Sequence, residues 1–390
     1  MFLLKDIDRE AIKMSNSKKI LQLLYKEGQL TKQDIAKTLG ISIPTVTHNV
    51  NTLIEEGFVR EAGMAVSTGG RKPIVMEFLP DAKYSVGVDI RPHGISIIIT
   101  NLKSHIISQK ELQLLQDDTD EVMTTIDGAL KEMLEKHDIK RSNLLGVGFS
   151  LHGTVNENKL IFEMAPNASY KNIDFHKYED LFGTSVYIEN EANASAISES
   201  LLGVAKQMRN LIYISINEGV GTGIVIKGYL YKGKNDRAGE FGHMVVNPEG
   251  PSCNCGSIGC WETFVSTLGL QRLYKEKANQ ELKIEDIVKR FREGDHDAIQ
   301  VLNQYTDYLA LGLRNILFAL DPHYIVIGGE MSKYGDDYYH ELINKIYSGN
   351  IFYSQRDNKI IISNLDGKAA VLGASLLPLL QLLYGTEKVI

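Results

Sequence analysis

Apolar positions in the first eighty residues recur at helical spacing. Ile20, Leu21, Leu23 and Leu24 fall on one side of a helix that ends near Gly28. Ile35, Ala36 and Leu39 line a second helix, with Thr31 able to cap its start and Gly40 to stop it. A tight turn leads to a third, with Ser42 as N-cap, Pro44 in the first turn, and Val46, Val50, Leu53 and Ile54 as its apolar stripe. The opposite face carries Thr45, Thr47, His48 and Asn49. After Gly57 the pattern becomes extended, predicting strands at 58–60 and 74–78. Between them lies a Gly-rich loop ending Thr68-Gly69-Gly70-Arg71-Lys72-Pro73.

From Tyr84 onward the period changes again. Apolar runs at 84–89 and 94–101 flank a turn, and an amphipathic helix at 120–137 and a strand at 144–149 follow. A second series opens with a strand at 211–216, continues through helices between about 264 and 320, and reaches a strand at 324–327. The chain closes on an apolar helix, 374–383. This alternation predicts an α/β body.

Two short helices joined by a Gly-containing turn, the second with a small polar outer face, form a helix-turn-helix pattern, whose second helix enters the major groove. Thr45, Thr47, His48 and Asn49 are the candidate DNA contacts on that helix. The two strands and their loop look like the wing of a winged helix. Gly69 and Gly70 allow close backbone approach, and Arg71, with Lys72 beside it, can enter a narrow A·T-rich minor groove.

At 390 residues the chain has room for two or three domains. Its apolar and charged fractions, 43% and 23%, are those of an ordinary globular protein. No run approaches the roughly 20 apolar residues of a membrane span, and the start lacks a signal peptide's apolar core. A cytoplasmic protein with no membrane partner is expected. Lys plus Arg against Asp plus Glu is 11 to 9 over residues 1–80 and 31 to 40 over the rest, so only the first part is a candidate for nucleic acid.

All three cysteines, Cys253, Cys255 and Cys260, fall within eight residues, and His243 lies ten residues before the first. Three thiols and an imidazole can supply one sulfur-rich tetrahedral shell of the kind Zn²⁺ prefers. The run from Gly239 to Glu262, with Gly-Glu-Phe-Gly-His followed by Cys-Asn-Cys-Gly-Ser-Ile-Gly-Cys-Trp-Glu, strongly resembles the zinc signature of the ROK family of sugar kinases and sugar-responsive repressors. The resemblance covers essentially the whole chain, because repressors of that family carry a winged helix just before the kinase-like body.

The resemblance implies a winged helix-turn-helix over 1–80 and a two-lobed actin-like ATPase fold. The first lobe would span 81–195, rejoined by the C-terminal helix within 374–390, and the second, with a structural zinc on His243, Cys253, Cys255 and Cys260, would span 196–373. Asn167, Asn190, Glu191, Glu240, His243 and Glu262 match the family's sugar-contacting positions. His243 would then hold zinc with one ring nitrogen and face sugar with the other. Beside these positions, Asn193 reads as a helix cap and Glu199 as a solvated residue.

Catalysis is not expected. The family's first phosphate turn, Asp-x-Gly-Gly-Thr, reads Asp89-Ile90-Arg91-Pro92-His93 here, so Pro92 lacks an N–H for a phosphate and Arg91 and His93 fill open space. The second glycine-rich loop reads Asn217-Glu218-Gly219-Val220-Gly221-Thr222-Gly223, setting the Glu218 carboxylate where a phosphate should lie. Glu191 replaces the catalytic Asp, and 325–330 resembles the adenosine-side loop only through a common Gly-Gly. No ATP is therefore expected, and no residue is assigned a catalytic role.

His152 stands where the family usually has Pro, and Tyr170 where many kinases have Trp. The Glu191 variant looks like the xylose-responsive repressors of the family, which makes a pentose the first choice of effector, ahead of glucose or an N-acetylated hexosamine. The expected protein is a homodimer or tetramer on a palindromic operator, released by a monosaccharide inducer. The alternatives are an active ATP-dependent sugar kinase with an appended DNA-binding domain and a regulator released by a protein partner.

Overall fold

The computed structural model describes residues 16–64, 73–114, 118–165, 171–206 and 208–385. Its N-terminal unit runs α1 (Asn16–Glu27), β1 (Gln29–Thr31), α2 (Lys32–Leu39), α3 (Ile43–Glu55), β2 (Val59–Met64) and β3 (Ile74–Phe78). Thr31 caps α2 reciprocally, its hydroxyl accepting from the Asp34 amide at 3.2 Å while the Asp34 carboxylate accepts from the Thr31 amide at 3.2 Å. Gly40 ends the helix at φ 65°. The Ser42 hydroxyl accepts from the Thr45 amide at 3.3 Å, and Pro44 occupies the first turn of α3. Ile20, Leu24, Ile35, Val46 and Val50 are fully buried between these helices.

Two features depart from the expected pattern. β1 is too short to show a period, and it forms because Gln29–Thr31 pairs antiparallel with β3. The strand expected at 58–60 is instead Val59–Met64, extended by pairing from Val59↔Phe78 to Met64↔Ile74, while Phe58 tucks into the core. The rest of the wing loop, with Arg71 and Lys72, lies outside the described residues.

The body contains two five-stranded sheets of one topology and a small three-stranded one. The first lobe supplies β4 (Tyr84–Arg91), β5 (Gly94–Asn101), β6 (Ile106–Leu112), α4 (Thr119–Lys136), β7 (Leu144–Leu151), β8 (Thr154–Asn156), β9 (Ile161–Met164), β10 (Lys171–Asp174), α5 (Glu179–Phe182), β11 (Val186–Asn190) and α6 (Glu191–Leu201). Its main sheet has the order β11-β7-β4-β5-β6.

The second lobe supplies β12 (Leu211–Ile216), β13 (Val220–Ile226), β14 (Tyr229–Leu230), α7 (Glu262–Val265), α8 (Thr267–Ala278), α9 (Ile284–Arg292), α10 (His296–Leu320), β15 (Tyr324–Gly328), α11 (Gly335–Tyr347) and β16 (Ile360–Ile362). Its sheet has the order β14-β13-β12-β15-β16. Each sheet is an antiparallel meander of three strands extended by two parallel ones, the duplicated arrangement of an actin-like fold.

The last helix, α12 (Ala369–Tyr384), returns to the first lobe and lies across β4 and β7. Glycine makes this approach possible. A Cβ on Gly87 would stand 2.2 Å from the Val371 carbonyl oxygen, and one on Gly148 2.0 Å from that of Ala374. The helix is apolar on nearly every side because both faces are covered. Leu376, Leu379, Leu380 and Leu383 share one core with Ile20, Leu24, Met76 and Phe78 of the N-terminal unit. Two polar ties reinforce that joint: Gln22 donates to the Leu383 carbonyl at 2.7 Å, and Lys103 donates to the Tyr25 carbonyl with its ammonium 4.3 Å from the Tyr25 ring centre.

The lobes meet through a charged cluster as well. Lys232, which follows β14, reaches back to Glu157 and Glu189 of the first lobe at 2.6 Å each, with Lys232 and Glu189 almost wholly covered.

Candidate functional site

The loops at the carboxyl ends of the central strands converge on the cleft between lobes. β4 ends at Arg91 and turns through Pro92-His93 into Gly94. β7 ends at Leu151 and turns through His152-Gly153, and β11 ends at Asn190, where α6 begins. From the second lobe, the turn 217–219 joins β12 to β13.

Asn190, rather than Asn193, caps α6. Its side-chain oxygen accepts from the amides of Ala192 and Asn193 at 3.0 and 3.2 Å, and its amide donates to the Gly153 carbonyl at 2.9 Å. Asn193 instead donates to Glu189 at 3.2 Å. The cap shifts by three residues because β11 continues straight through Glu189 to Asn190.

Glu191 is buried at the first position of α6. Its carboxylate accepts from Ser215 at 2.8 Å across the lobes and from Ser195 at 3.2 Å. Burial raises its pKa above the usual carboxylate range despite the opposing effect of His152. Asp89, at the same level of the first sheet, accepts from Ser150 at 2.8 Å. The His152 ring nitrogen Nε2 lies 3.7 Å from Asp89 Oδ1, too far for a hydrogen bond. Burial disfavours the imidazolium there, yet Asp89 and Glu191 outweigh it and lift the pKa above its ordinary value.

The two phosphate-loop positions face one another at the mouth. His93 Nε2 is 3.2 Å from Glu218 Oε1, and Arg91 pairs with Glu111 at 2.6 Å and with Asp89 at 3.5 Å. The first turn is therefore charged and braced. Asn217 ties the second to its surroundings, donating to Ser215 at 3.0 Å and accepting from the Glu330 amide at 2.8 Å.

The cysteine cluster borders the same cleft. His243 ends a short 3-10 turn, Phe241–His243, and the segment behind it folds back through the bridges Val245↔Cys260 and Ser252↔Ile258. Gly259 permits the fold at φ 72°, since a Cβ there would lie 1.5 Å from the Asn247 carbonyl oxygen. Trp261 anchors the loop, fully buried and donating to the Tyr308 carbonyl at 2.8 Å.

The donor atoms of His243, Cys253, Cys255 and Cys260 all lie within 4.8 Å of one another. Bonds of about 2.3 Å to sulfur and about 2.0 Å to nitrogen set tetrahedral donors about 3.5 to 3.8 Å apart. Cys253 Sγ is 3.5 Å from His243 Nδ1, and Cys255 Sγ is 3.6 Å from Cys260 Sγ. These residues fit a tetrahedral metal. The Ser257 backbone lowers the Cys255 thiol to about 7, so one ligand is readily available as thiolate near neutral pH.

His243 turns Nδ1 toward the thiols and Nε2 toward the cleft, where Glu240 Oε2 stands 3.7 Å away on an exposed rim. Glu262 is committed to the cluster. Its Oε1 accepts from Cys253 at 2.9 Å and lies 3.3 Å from His243 Nδ1, while Oε2 faces the Val220 amide at 3.4 Å. It thus links the four-donor cluster to the loop 218–220. Asn167 and Tyr170 lie outside the described residues.

On α3, His48 is exposed and Thr45, Thr47 and Asn49 are partly so. The Thr45 hydroxyl is 2.8 Å from that of Ser42, and Asn49 donates to the Thr45 carbonyl at 2.8 Å, which commits one of its amide hydrogens to the helix.

The sequence reading missed Ser150, Ser215 and Asn217, which connect the cleft carboxylates. A serine within the apolar run Ile-Tyr-Ile-Ser-Ile was the available signal for Ser215. Glu199, expected from the sequence to be solvated, is not. That side chain is fully buried, accepting from Ser363 and from the Val204 amide at 3.1 Å.

Residues 85–380 match the model of the ROK family, and residues 15–60 match a winged helix-turn-helix DNA-binding model. A xylose repressor of Bacillus subtilis (strain 168) is 30% identical over 372 residues, covering 94% of this chain and 96% of that protein. The DNA-binding transcriptional dual regulator NagC of Escherichia coli (strain K12) is 24% identical over 334 residues, covering 83% of this chain and 82% of its own. Among solved structures, a ROK family transcriptional regulator, homolog of the E. coli MLC protein, superposes with a TM-score of 0.82 at 23% identity, covering 95% of this chain and 96% of its own. A ROK family glucokinase from Streptomyces griseus, in complex with glucose and AMPPNP, gives a TM-score of 0.67 at 26% identity, covering 75% of this chain and 98% of its own. No helix among the described residues is long and apolar enough to cross a membrane.

Proposed function

The chain belongs to the ROK family, and from that premise we propose that it is a sugar-responsive transcriptional repressor of carbohydrate-catabolic genes, with xylose as the first-choice effector. The observation that carries this reading is the single apolar core in which α12 joins the winged helix to the first lobe, so that lobe movement bears directly on the DNA-binding unit. Similarity to the xylose repressor across both parts of the chain supports it.

In this reading α3 reads an operator through Thr45, Thr47, His48 and Asn49, with Arg71 and Lys72 on the wing. A homodimer sets two such helices about one DNA turn apart. The sugar occupies the cleft, contacting Asn167, Asn190, Glu191, Glu240 and His243, with Glu262 acting mainly through the metal ligands. The four-donor cluster holds structural Zn²⁺, which fixes the His243 ring for its cleft-facing task. The domain limits are 1–80, 81–195 with 374–390, and 196–373. Arg91 and His93 filling the first phosphate turn, Pro92 without an N–H, and the Glu218 carboxylate in the second leave the protein without kinase activity. Inducer action requires that sugar bind the DNA-free form more tightly, with a coupling of about 1–3 kcal/mol.

The test is fluorescence anisotropy on labelled DNA from upstream of the protein's own gene and of neighbouring sugar-catabolic genes, with and without xylose, glucose and N-acetylglucosamine. Release by one sugar without ATP is expected. Absence of DNA binding in all conditions, together with sugar-dependent ADP production, would give the protein to the kinase class instead.

A further inference from the structure

The turn that follows β7 holds a covered polar atom with no hydrogen bond beside Asp89. His152 Nε2 is buried and makes no hydrogen bond. A buried ring nitrogen left unpaired costs free energy, so in a native cleft it takes an ordered water or a ligand group that replaces that water. The groups facing it narrow the chemistry. From β4 come Asp89, already satisfied by Ser150, and Arg91; from α6 comes Glu191, near enough for its charge to act on the imidazole.

An anion is a poor occupant here, since Asp89 and Glu191 would repel it. A metal ion is also disfavoured, because Glu191 already spends Oε1 on Ser215 and Ser195. A neutral hydroxyl fits. It can donate to the carboxylate or the imidazole and still accept from a further group, and two adjacent hydroxyls satisfy both side chains together. The ring needs little ordering for this, because Asn190 holds the Gly153 carbonyl at 2.9 Å and the Gly153 backbone packs against strand β9.

We propose that His152 is a sugar-binding residue that, with Glu191, contacts two adjacent hydroxyls of an unphosphorylated monosaccharide. The assignment rests on the sugar-responsive reading above. It adds a specificity determinant in the turn after β7, and it excludes a phosphate on either of those two hydroxyls, since that would bring charge against Asp89 and Glu191.

Calorimetric titration of the full-length protein with xylose, glucose and N-acetylglucosamine tests it, using wild type, His152→Leu and His152→Gln. Leu fills the space without a polar atom, whereas Gln restores one. His152→Leu should weaken binding of the sugar that wild type prefers at least tenfold, and Gln should recover part of the loss, with thermal stability and operator affinity retained. In wild type, nitrogen-15 imidazole spectra should show the His152 Nε2 resonance shifting on sugar saturation, a readout independent of how the variants fold. The spectrum decides if the two disagree. If wild type binds a sugar but the resonance stays fixed, this assignment falls alone; if wild type binds no sugar, the underlying reading falls with it.

Discussion

His93 and Glu218 face each other across the cleft mouth, one from each lobe, with Nε2 3.2 Å from Oε1. Both are substantially exposed, so the pair adds little stability. Its consequence is electrostatic. A carboxylate about 4 Å from a phosphate is repelled by roughly 1 kcal/mol in water and by more in a partly desolvated cleft.

Wild type should therefore show no calorimetric binding of Mg·ATP at millimolar concentration and no sugar-dependent ADP release in a coupled assay. The double variant His93→Gly, Glu218→Thr should fold normally and gain about five- to tenfold in nucleotide affinity. Tight ATP binding by wild type would remove the argument.

Cys255→Ser deletes one of the four donors gathered within 4.8 Å. Zinc measured by plasma mass spectrometry should fall from one per chain to a small fraction, and the melting temperature should fall with it, since a structural site contributes folding energy. Sugar affinity should weaken as His243 loses the group that orients its ring. Full metal occupancy in the variant would refute the ligand set.

The recognition helix offers a ranking. His48 is exposed and free to meet DNA, whereas Asn49 has committed an amide hydrogen to the Thr45 carbonyl. His48→Ala should weaken operator binding more than Asn49→Ala, in anisotropy titrations at one fixed salt concentration. A reversed order would mean that Asn49 leaves its helix bond on binding.

Most local determinants were readable, the cap of α6 at Asn190 being an exception, and long-range ones were not. Thr31, Gly40 and Ser42 act on their own helices, so their roles follow from residues three or four positions away. The metal donors likewise fall within one short segment, and the two sheets announce themselves through apolar runs. Glu199 shows the opposite case. Its partner Ser363 is 164 residues away, just past β16, and nothing near Glu199 signals burial. Lys232 is similar, since only folding brings it between Glu157 and Glu189.

Burial of Glu199 has a pH signature. Desolvation raises its folded-state pKa, with Ser363 and the Val204 amide opposing. A raised carboxylate pKa leaves stability fully present below the unfolded value of about 4.3 and lost as pH rises through the folded value. Glu199→Gln does not titrate and can keep both hydrogen bonds, with its oxygen on Val204 and its amide on Ser363. The variant should melt higher than wild type at pH 7 to 8, and the difference should close below about pH 4. A gap independent of pH would show that packing, not ionisation, sets the effect.

Lys103 tests the route from cleft to DNA. It projects from the turn after β5, binds the Tyr25 carbonyl on α1 and lies over the Tyr25 ring, while α12 buries leucines against the same unit. If lobe movement is delivered through this joint, a change there should spare each binding event and damage only their linkage. Lys103→Met keeps most of the aliphatic stem and removes the charge. Sugar affinity and sugar-free operator affinity should stay within about twofold of wild type. The ratio of operator affinities without and with sugar, about 5- to 150-fold for a coupling of this kind, should shrink by at least threefold. Coupling is reciprocal, so operator DNA should weaken sugar binding by the same reduced factor. Unaltered sugar-driven release in Lys103→Met would assign the transmission to the apolar contacts of α12 alone.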